Sequence, residues 1–314
     1  MAAQTRIVKA NGLDMQIVEQ GNGPLVLLCH GWPELAYSWR HQIPAIAAQG
    51  YRVVAPDMRG YGGTSAPKDI GAYTIFHLVG DVVALVEALG EKQAIMVGHD
   101  WGAEVAWRAA MFRPDVFPAV AALSVPLRNR GPAAPLAILK QQGVSTFYWQ
   151  YFQKPGVVEE EMARDWSHTL RAIYYGTGLG LMLKPGRGMV EDAKVPEQAP
   201  AWISEAEIQH YIETFGRTGI AGGINWYRNI DRNWELSAPW QDAKIFQPSL
   251  FVAGAKDPVI TGLIGAKSLE TMDTLLPGLR GKVIIDGAGH WIQQERPEAI
   301  NSELLTFLST VEWT

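Results

Sequence analysis

One aspartate of the 314-residue chain lies in a motif that could present a nucleophile. The motif GHDWG (residues 98–102) follows an apolar run at 95–97 and precedes an Ala-rich segment. Its spacing is that of the G-x-S-x-G turn between a strand and a helix, with Asp100 in place of Ser. A carboxylate is ionised at neutral pH and can displace a leaving group at a saturated carbon, which forms an alkyl ester. The alternative is that Asp100 only caps the following helix.

Hydrolysis of such an ester needs a base that activates water and a partner that orients the base. Asp257 and His290 each follow a predicted strand, in GAKDP (254–258) and GAGHW (287–291). They also continue the chain order nucleophile, acid, histidine. Because parallel strands place their ligand-binding loops at one edge of a sheet, we expect the two residues to meet Asp100 there. For Asp257 the alternative is a turn role before Pro258.

The motif HGWPE (30–34) follows another apolar run and predicts the oxyanion hole. The backbone N–H groups of Trp32 and Trp101 are expected to stabilise the oxygen anion that forms at the Asp100 ester. For His30 we expect a hydrogen bond that braces the loop. Glu34 is a candidate for positioning the hydrolytic water, and a local cap or pair is its alternative.

These motifs, together with PDMRGYGGTSAP (56–67), resemble the α/β-hydrolase-fold epoxide hydrolases. Two further segments resemble the lid motifs of that family: FYWQYFQKPG (147–156) and INWYRN (224–229). The resemblance implies that Tyr148 and Tyr227 are the two lid tyrosines. A phenol keeps its proton at neutral pH and can donate it to the alkoxide that leaves an opened epoxide. Trp149 occupies a position where some relatives carry a polar residue.

The resemblance implies that an epoxide and water are converted to a vicinal diol through a covalent aspartyl ester. It implies a small apolar epoxide as substrate and no cofactor. From the chemistry of this reaction we expect a detoxifying or catabolic role. One alternative is a haloalkane or haloacid dehalogenase with the same Asp nucleophile, since indole N–H groups can hold a departing halide. Another is a non-catalytic binding protein with a hydrolase fold. A serine esterase is disfavoured because the serine is missing.

The elements that must position these residues alternate between strand and helix in the first third of the chain. This alternation favours an α/β fold with a mostly parallel sheet flanked by helices. We predict a core domain at 1–126 and 241–314 and a helical cap at 127–240. Strands are predicted at 25–28, 53–55, 94–97, 119–125, 250–253 and 283–285, and helices at 75–89, 102–112, 136–142, 157–175, 205–215 and after 297.

Composition excludes several other functional classes. The 27 basic and 32 acidic residues give a net charge of −5, which does not favour nucleic-acid binding. No apolar run reaches the length of a membrane span, and the N-terminal residues lack a signal-peptide core. We therefore expect a cytoplasmic protein, monomeric or homodimeric, without a membrane or nucleic-acid partner. The glycine-rich segments 60–63 and 176–180 lack the context of a P-loop or dinucleotide site, and no metal-ligand spacing is present.

Overall fold

The computed structural model describes residues 2–176 and 181–312. Most of the glycine-rich segment 176–180 therefore lies outside the described residues. In the two described ranges, no helix is both long and apolar enough to cross a lipid bilayer.

One sheet forms the centre of the described residues, with eight strands in the order β1-β2-β4-β3-β5-β6-β7-β8. Strands β3 to β8 run parallel, while β1 and β2 pair antiparallel at one edge. The central strands are buried along their whole length, which explains their continuous apolar runs. The strands are β1 (Gln4–Ala10), β2 (Leu13–Gln20), β3 (Leu25–Cys29), β4 (Arg52–Pro56), β5 (Ile95–His99), β6 (Val120–Leu123), β7 (Ser249–Gly254) and β8 (Leu279–Ile285).

The antiparallel hairpin of β1 and β2 is absent from our sequence prediction. Its turn is Asn11-Gly12, where both residues have positive φ, at 48° and 73°. An Asn-Gly pair between two alternating segments is a strong hairpin signal, so this element was open to prediction. Strand β6 is also shorter than predicted, because Ser124 turns the chain with a φ of 70°.

Helices cover both faces of the sheet and also fill the connection between β6 and β7. The α helices are α1 (Gln42–Ala47), α2 (Ile75–Ala88), α3 (Trp101–Phe112), α4 (Pro135–Gln141), α5 (Tyr148–Phe152), α6 (Val157–Ala163), α7 (Trp166–Tyr175), α8 (Glu205–Thr218), α9 (Ala221–Arg228), α10 (Ile230–Leu236), α11 (Pro258–Thr261), α12 (Leu263–Thr271), α13 (Ile292–Glu295) and α14 (Pro297–Ser309). Short 3₁₀ helices lie at Ala36–Trp39, Ile70–Tyr73, Ala238–Trp240 and Met272–Thr274.

The helices α4 to α10 form the helical cap, which is inserted between β6 and β7. The single helix predicted at 157–175 is wrong, because the segment divides into α6 and α7. Asp165 has an extended backbone there, and its side chain accepts the N–H of His168 to cap α7. The predicted capping box of Ser204 and Glu207 is present at the start of α8.

Candidate active site

The strained turn between β5 and α3 presents Asp100. Its backbone has a φ of 51° and a ψ of −119°, which few residues other than glycine adopt. The flanking glycines are required by space, since a Cβ on Gly98 would lie 2.0 Å from the carbonyl oxygen of Gly102. The Asp100 side chain makes no capping hydrogen bond to α3, so the helix-cap alternative does not describe it.

His290 and Asp257 reach Asp100 from the loops that follow β8 and β7. The Nδ1 atom of His290 lies 3.0 Å from Oδ2 of Asp257, and Nε2 lies 3.8 Å from Oδ2 of Asp100. Asp257 also accepts the N–H of Val259 at 2.8 Å, so it caps α11 and orients the imidazole at the same time. The structure thus shows the turn position of Asp257 and its contact with the imidazole, while its catalytic role stays a prediction.

Two backbone N–H groups point at the carboxylate of Asp100. The N–H of Trp32 donates to Oδ1 at 2.8 Å. Burial raises the pKa of Asp100, and the backbone N–H groups of Trp32 and Trp101 oppose that shift. Oδ1 is therefore held by the Trp32 donor, whereas Oδ2 is the oxygen nearer the imidazole. His30 braces the same loop, because its Nε2 accepts the N–H of Met58 at 2.9 Å.

Glu34 is fully buried behind the site and is occupied by protein donors. Its Oε2 accepts from the N–H of Gly31 at 2.9 Å and from Nδ1 of His99 at 2.6 Å. Its Oε1 accepts from the amides of Gln293 at 2.8 Å and Gln294 at 3.3 Å. Four donors fill the acceptor sites of one carboxylate, so direct contact with a hydrolytic water finds no support in this geometry. The alternative of a local pair describes Glu34 instead.

The sequence analysis missed the role of His99 beside the nucleophile. Nδ1 of His99 faces the Glu34 carboxylate, and Nε2 lies 2.8 Å from the carbonyl oxygen of His290. The imidazole of His99 therefore bridges the Glu34 carboxylate and the backbone of His290. Burial alone would raise the pKa of Glu34, but His99 and the N–H of Gly31 outweigh it and lower that pKa to about 2. The hydroxyl of Ser124, also missed, donates to the same carbonyl of His290 at 3.1 Å.

Tyr148 and Tyr227 lie on the cap and face Asp100 across a cavity of about 550 Å³, part of which is open to solvent. Their rings are edge to face, with centroids 5.6 Å apart. Burial, followed by the charge of Asp100, raises the pKa of Tyr148. Burial also raises the pKa of Tyr227 well above its ordinary value. Both phenols therefore keep their protons at neutral pH. The other walls are mainly apolar: Ile173, Leu181, Met189, Pro258, Val259 and Trp291.

The charges at the site are coupled. Burial lowers the pKa of His290, but the carboxylates of Asp257, Asp100 and Glu34 outweigh this and raise it to about 9. Burial raises the pKa of Asp100 above its ordinary value, although His290 and His99 oppose the shift. The free site therefore holds an imidazolium beside a carboxylate near neutral pH. Among the residues that the structure describes, no cluster of His, Cys, Asp and Glu could hold a metal ion.

Comparisons with known proteins agree with this geometry. The family model of the alpha/beta hydrolase fold matches residues 24–297. The chain is 46% identical to Epoxide hydrolase A of Mycobacterium tuberculosis over 99% of both chains. It is 40% identical to an epoxide hydrolase of Caballeronia sordidicola, over 97% of this chain and 93% of that one. The crystal structure of Epoxide Hydrolase A from Mycobacterium thermoresistibile superposes with a TM-score of 0.95 and 43% identity over 100% of both chains.

The chain belongs to the epoxide hydrolases of the α/β-hydrolase fold. It is therefore an enzyme, and the alternative hypothesis of a non-catalytic binding protein is rejected. The predicted fold class is confirmed, including the mostly parallel sheet and the inserted helical cap. The domain boundaries, the roles of the site residues, the oligomeric state and the cellular compartment stay predictions.

Proposed function

We propose that this enzyme opens small apolar epoxides through an alkyl ester on Asp100 and then hydrolyses the ester to release a vicinal diol. One observation carries the proposal: the cavity places a carboxylate with a nearby imidazole opposite two protonated phenols. An epoxide between them meets a nucleophile at carbon and acids at oxygen. In this proposal the cap, residues 127–240, supplies the acids and the core supplies the nucleophile and the base.

In the first step, Oδ2 of Asp100 attacks a ring carbon and the carbon–oxygen bond of the epoxide breaks. Oδ2 is the attacking atom because Oδ1 already accepts the N–H of Trp32. Tyr148 and Tyr227 donate hydrogen bonds to the leaving oxygen, and one of them gives it a proton. General acid assistance of this kind contributes about 10²–10⁴ in rate.

In the second step, water attacks the ester carbon of Asp100. His290 takes a proton from this water through Nε2, while Asp257 holds Nδ1. The negative charge develops on Oδ1, which already accepts the N–H of Trp32, and the N–H of Trp101 is the second expected donor. Collapse of this intermediate breaks the bond to the diol oxygen, which receives the proton from His290. The Asp100 carboxyl group, which now holds one oxygen from water, gives its proton to His290, and the carboxylate and imidazolium of the free enzyme are restored.

Formation of the ester also makes it easier for His290 to lose its proton and act as the base. Free His290 is protonated at neutral pH, partly because of the Asp100 charge. The ester carries no charge, so one of the carboxylates that hold the proton on His290 is lost when the first step is complete. His290 can then release its proton to solvent, from which the phenolate left by the first step regains a proton, and neutral His290 can accept a proton from water.

The phenols favour an epoxide over an alkyl halide as substrate. A departing halide needs hydrogen-bond donors but no proton, whereas an alkoxide is a poor leaving group until it is protonated. A halide-release assay with short chloroalkanes and bromoalkanes tests the dehalogenase alternative directly.

A single-turnover reaction in ¹⁸O-water tests the proposal, with enzyme in excess over styrene oxide. We expect an unlabelled diol, and label in the peptide that contains Asp100, because the water oxygen enters the carboxylate. A labelled diol in the first turnover would show direct attack by water and would overturn the ester mechanism. The Asp100→Asn protein, which lacks the nucleophile, is the control and is expected to form no diol in the same time.

A further inference from the structure

The two lid tyrosines lie on helices that are held to different parts of the molecule. Helix α9, which carries Tyr227, is attached to the core. The indole of Trp226 donates to the carbonyl of Arg59 at 3.1 Å, and the amide of Asn229 donates to the carbonyl of Ile70 at 2.7 Å. Tyr227 is therefore positioned by the same core that carries the nucleophile.

Helix α5, which begins at Tyr148, has its N-terminal contacts within the cap. The N–H of Tyr148 donates to the carbonyl of Leu181 at 3.0 Å, and the N–H of Leu183 donates to the carbonyl of Thr146 at 2.7 Å. The amide of Gln150 donates to the carbonyl of Val144 at 2.7 Å. These contacts hold the N-terminal end of α5 within the cap. The C-terminal end of α5 packs on the core, since the rings of Phe152 and Trp32 lie 5.2 Å apart, and hydrogen bonds join the same end to α9.

Gln153, one residue after α5, spans that contact. Its side-chain Nε2 donates to the carbonyl of Trp149 at 2.8 Å and to the carbonyl of Tyr227 at 3.1 Å. Both N–H bonds of one amide are therefore used, one on each helix. The bond to α9 ends on the backbone of the lid tyrosine itself.

Arg228, the last residue of α9, makes the reciprocal connection. Its Nε donates to the carbonyl of Phe152 at 3.0 Å, and Nη2 donates to the carbonyl of Lys154 at 3.3 Å. The remaining N–H groups bond to the carboxylate of Glu159, at 2.6 and 3.0 Å, and to Oδ1 of Asn225 at 2.9 Å. The side chain is 5% exposed. All five donors of the guanidinium are engaged, so its orientation is determined.

We propose that Gln153 and Arg228 form a clamp that sets the position of the Tyr148 hydroxyl relative to Tyr227 and Asp100. Neither residue touches the reacting atoms, and both act as positioning residues through the two phenols. The inference rests on the proposed function, because it assigns the clamp to the epoxide-opening step. The ester-hydrolysis step depends on His290 and the oxyanion hole, which the clamp does not contact.

Gln153→Ala is the first test, because it removes two neutral hydrogen bonds and leaves no buried charge unpaired. The rates of ester formation and ester hydrolysis are measured separately by rapid quench with styrene oxide and mass spectrometry of the intact protein. We expect ester formation to slow by about 10- to 100-fold, since a misplacement of about 1 Å in a reacting group can cost about 100-fold. Ester hydrolysis is expected to stay at the wild-type rate.

A double-mutant cycle with Tyr148→Phe separates positioning from general damage. If Gln153 acts through Tyr148, the Gln153→Ala change has little further effect on ester formation once the phenol is removed. Equal slowing of both steps, or full additivity with Tyr148→Phe, would overturn the clamp. A wild-type enzyme that forms no ester would instead overturn the proposed function, and that result is read before any variant is made.

Arg228→Lys provides a second variant that keeps the charge beside Glu159. Three ammonium donors cannot replace the five of the guanidinium, so we expect the same selective loss in ester formation. Unchanged ester formation in both clamp variants would contradict the proposal. Gln209→Ala is the matched control, because this exposed amide on α8 donates to the neighbouring Glu213 of the same helix, at 3.1 Å. The control is expected to leave both rates unchanged.

Discussion

Replacement of Asp100 by Asn tests whether loss of one charge frees His290 to act as the base. Asn, like the ester, carries no charge and occupies nearly the same volume as Asp. In the free enzyme, burial lowers the pKa of His290, but Asp257, Asp100 and Glu34 raise it to about 9. The Asp100→Asn protein retains two of these three carboxylates and is therefore a stable mimic of the ester state.

The size of the expected shift follows from the geometry. Nε2 of His290 lies 3.8 Å from Oδ2 of Asp100. Opposite charges at that distance interact by about 4 kcal/mol when the effective dielectric constant is about 20. One opposite charge within about 4–6 Å shifts a pKa by about 1–3 units. Subtracting this from about 9 predicts a pKa of about 6–8 in Asp100→Asn, close to neutral pH.

The assay is an NMR titration of the His290 imidazole from about pH 5 to about pH 11, beyond both limits of the expected range. Wild type, Asp100→Asn and Asp286→Asn are compared. Asp286 is exposed and lies four positions before His290 in the chain, so its charge is screened by water and the control is expected to titrate as wild type. A wild-type pKa in Asp100→Asn would refute the reasoning, and an equal shift in the control would show a non-specific effect.

Three further results are expected from the same site. Tyr148→Phe and Tyr227→Phe each slow ester formation by about 10²–10⁴ in rapid-quench experiments and leave hydrolysis of the ester unchanged, because only the first step needs the acid; equal loss in both steps would contradict this role. His290→Gln forms the ester without hydrolysing it, so intact-protein mass spectrometry shows an adduct of enzyme plus substrate, whereas rapid diol release by the variant would remove His290 as the base. In unfolding experiments with urea, wild type loses stability relative to His290→Gln as the pH rises from 6.5 to about 9. Because the pKa of His290 is raised from 6.5 to about 9, protonation of His290 stabilises the folded state by about 3 kcal/mol below pH 6.5, and this stabilisation is lost as the pH rises to about 9. A parallel decline in the stability of both proteins would contradict the assignment.

Most of the core could be predicted from local patterns. The buried parallel strands appear as short apolar runs, and α2 was predicted at 75–89 because its apolar residues recur at helical spacing. The chain between 157 and 175 also has helical periodicity, but Asp165 competes for the backbone and divides it. The hairpin of β1 and β2 has no continuous apolar run, since its outer strand is largely exposed. Its sequence signal is the Asn-Gly pair of the turn.

The candidate site likewise contains residues that a local sequence motif predicts and residues that no local motif predicts. Asp100, Asp257 and His290 each lie in a recognisable sequence motif, because each follows a strand at a sharp turn of the chain. The network of Glu34, His99 and Gln293 has no comparable signal. Its members lie up to 259 positions apart in the chain. The sequence does not show whether a glutamate is buried or exposed.

The sequence by itself determined the fold class, and it gave the type of the proposed nucleophile and the order of the proposed catalytic residues, since these depend on local spacing and on the chemistry of each side chain. The tertiary structure decided which oxygen of Asp100 accepts the N–H of Trp32, which charges raise the pKa of His290, and that Glu34 is enclosed by four donors. It also decided how Gln153 and Arg228 join the two tyrosine helices. Distances, burial and coupled charges arise only when remote segments pack together, so no local pattern can record them.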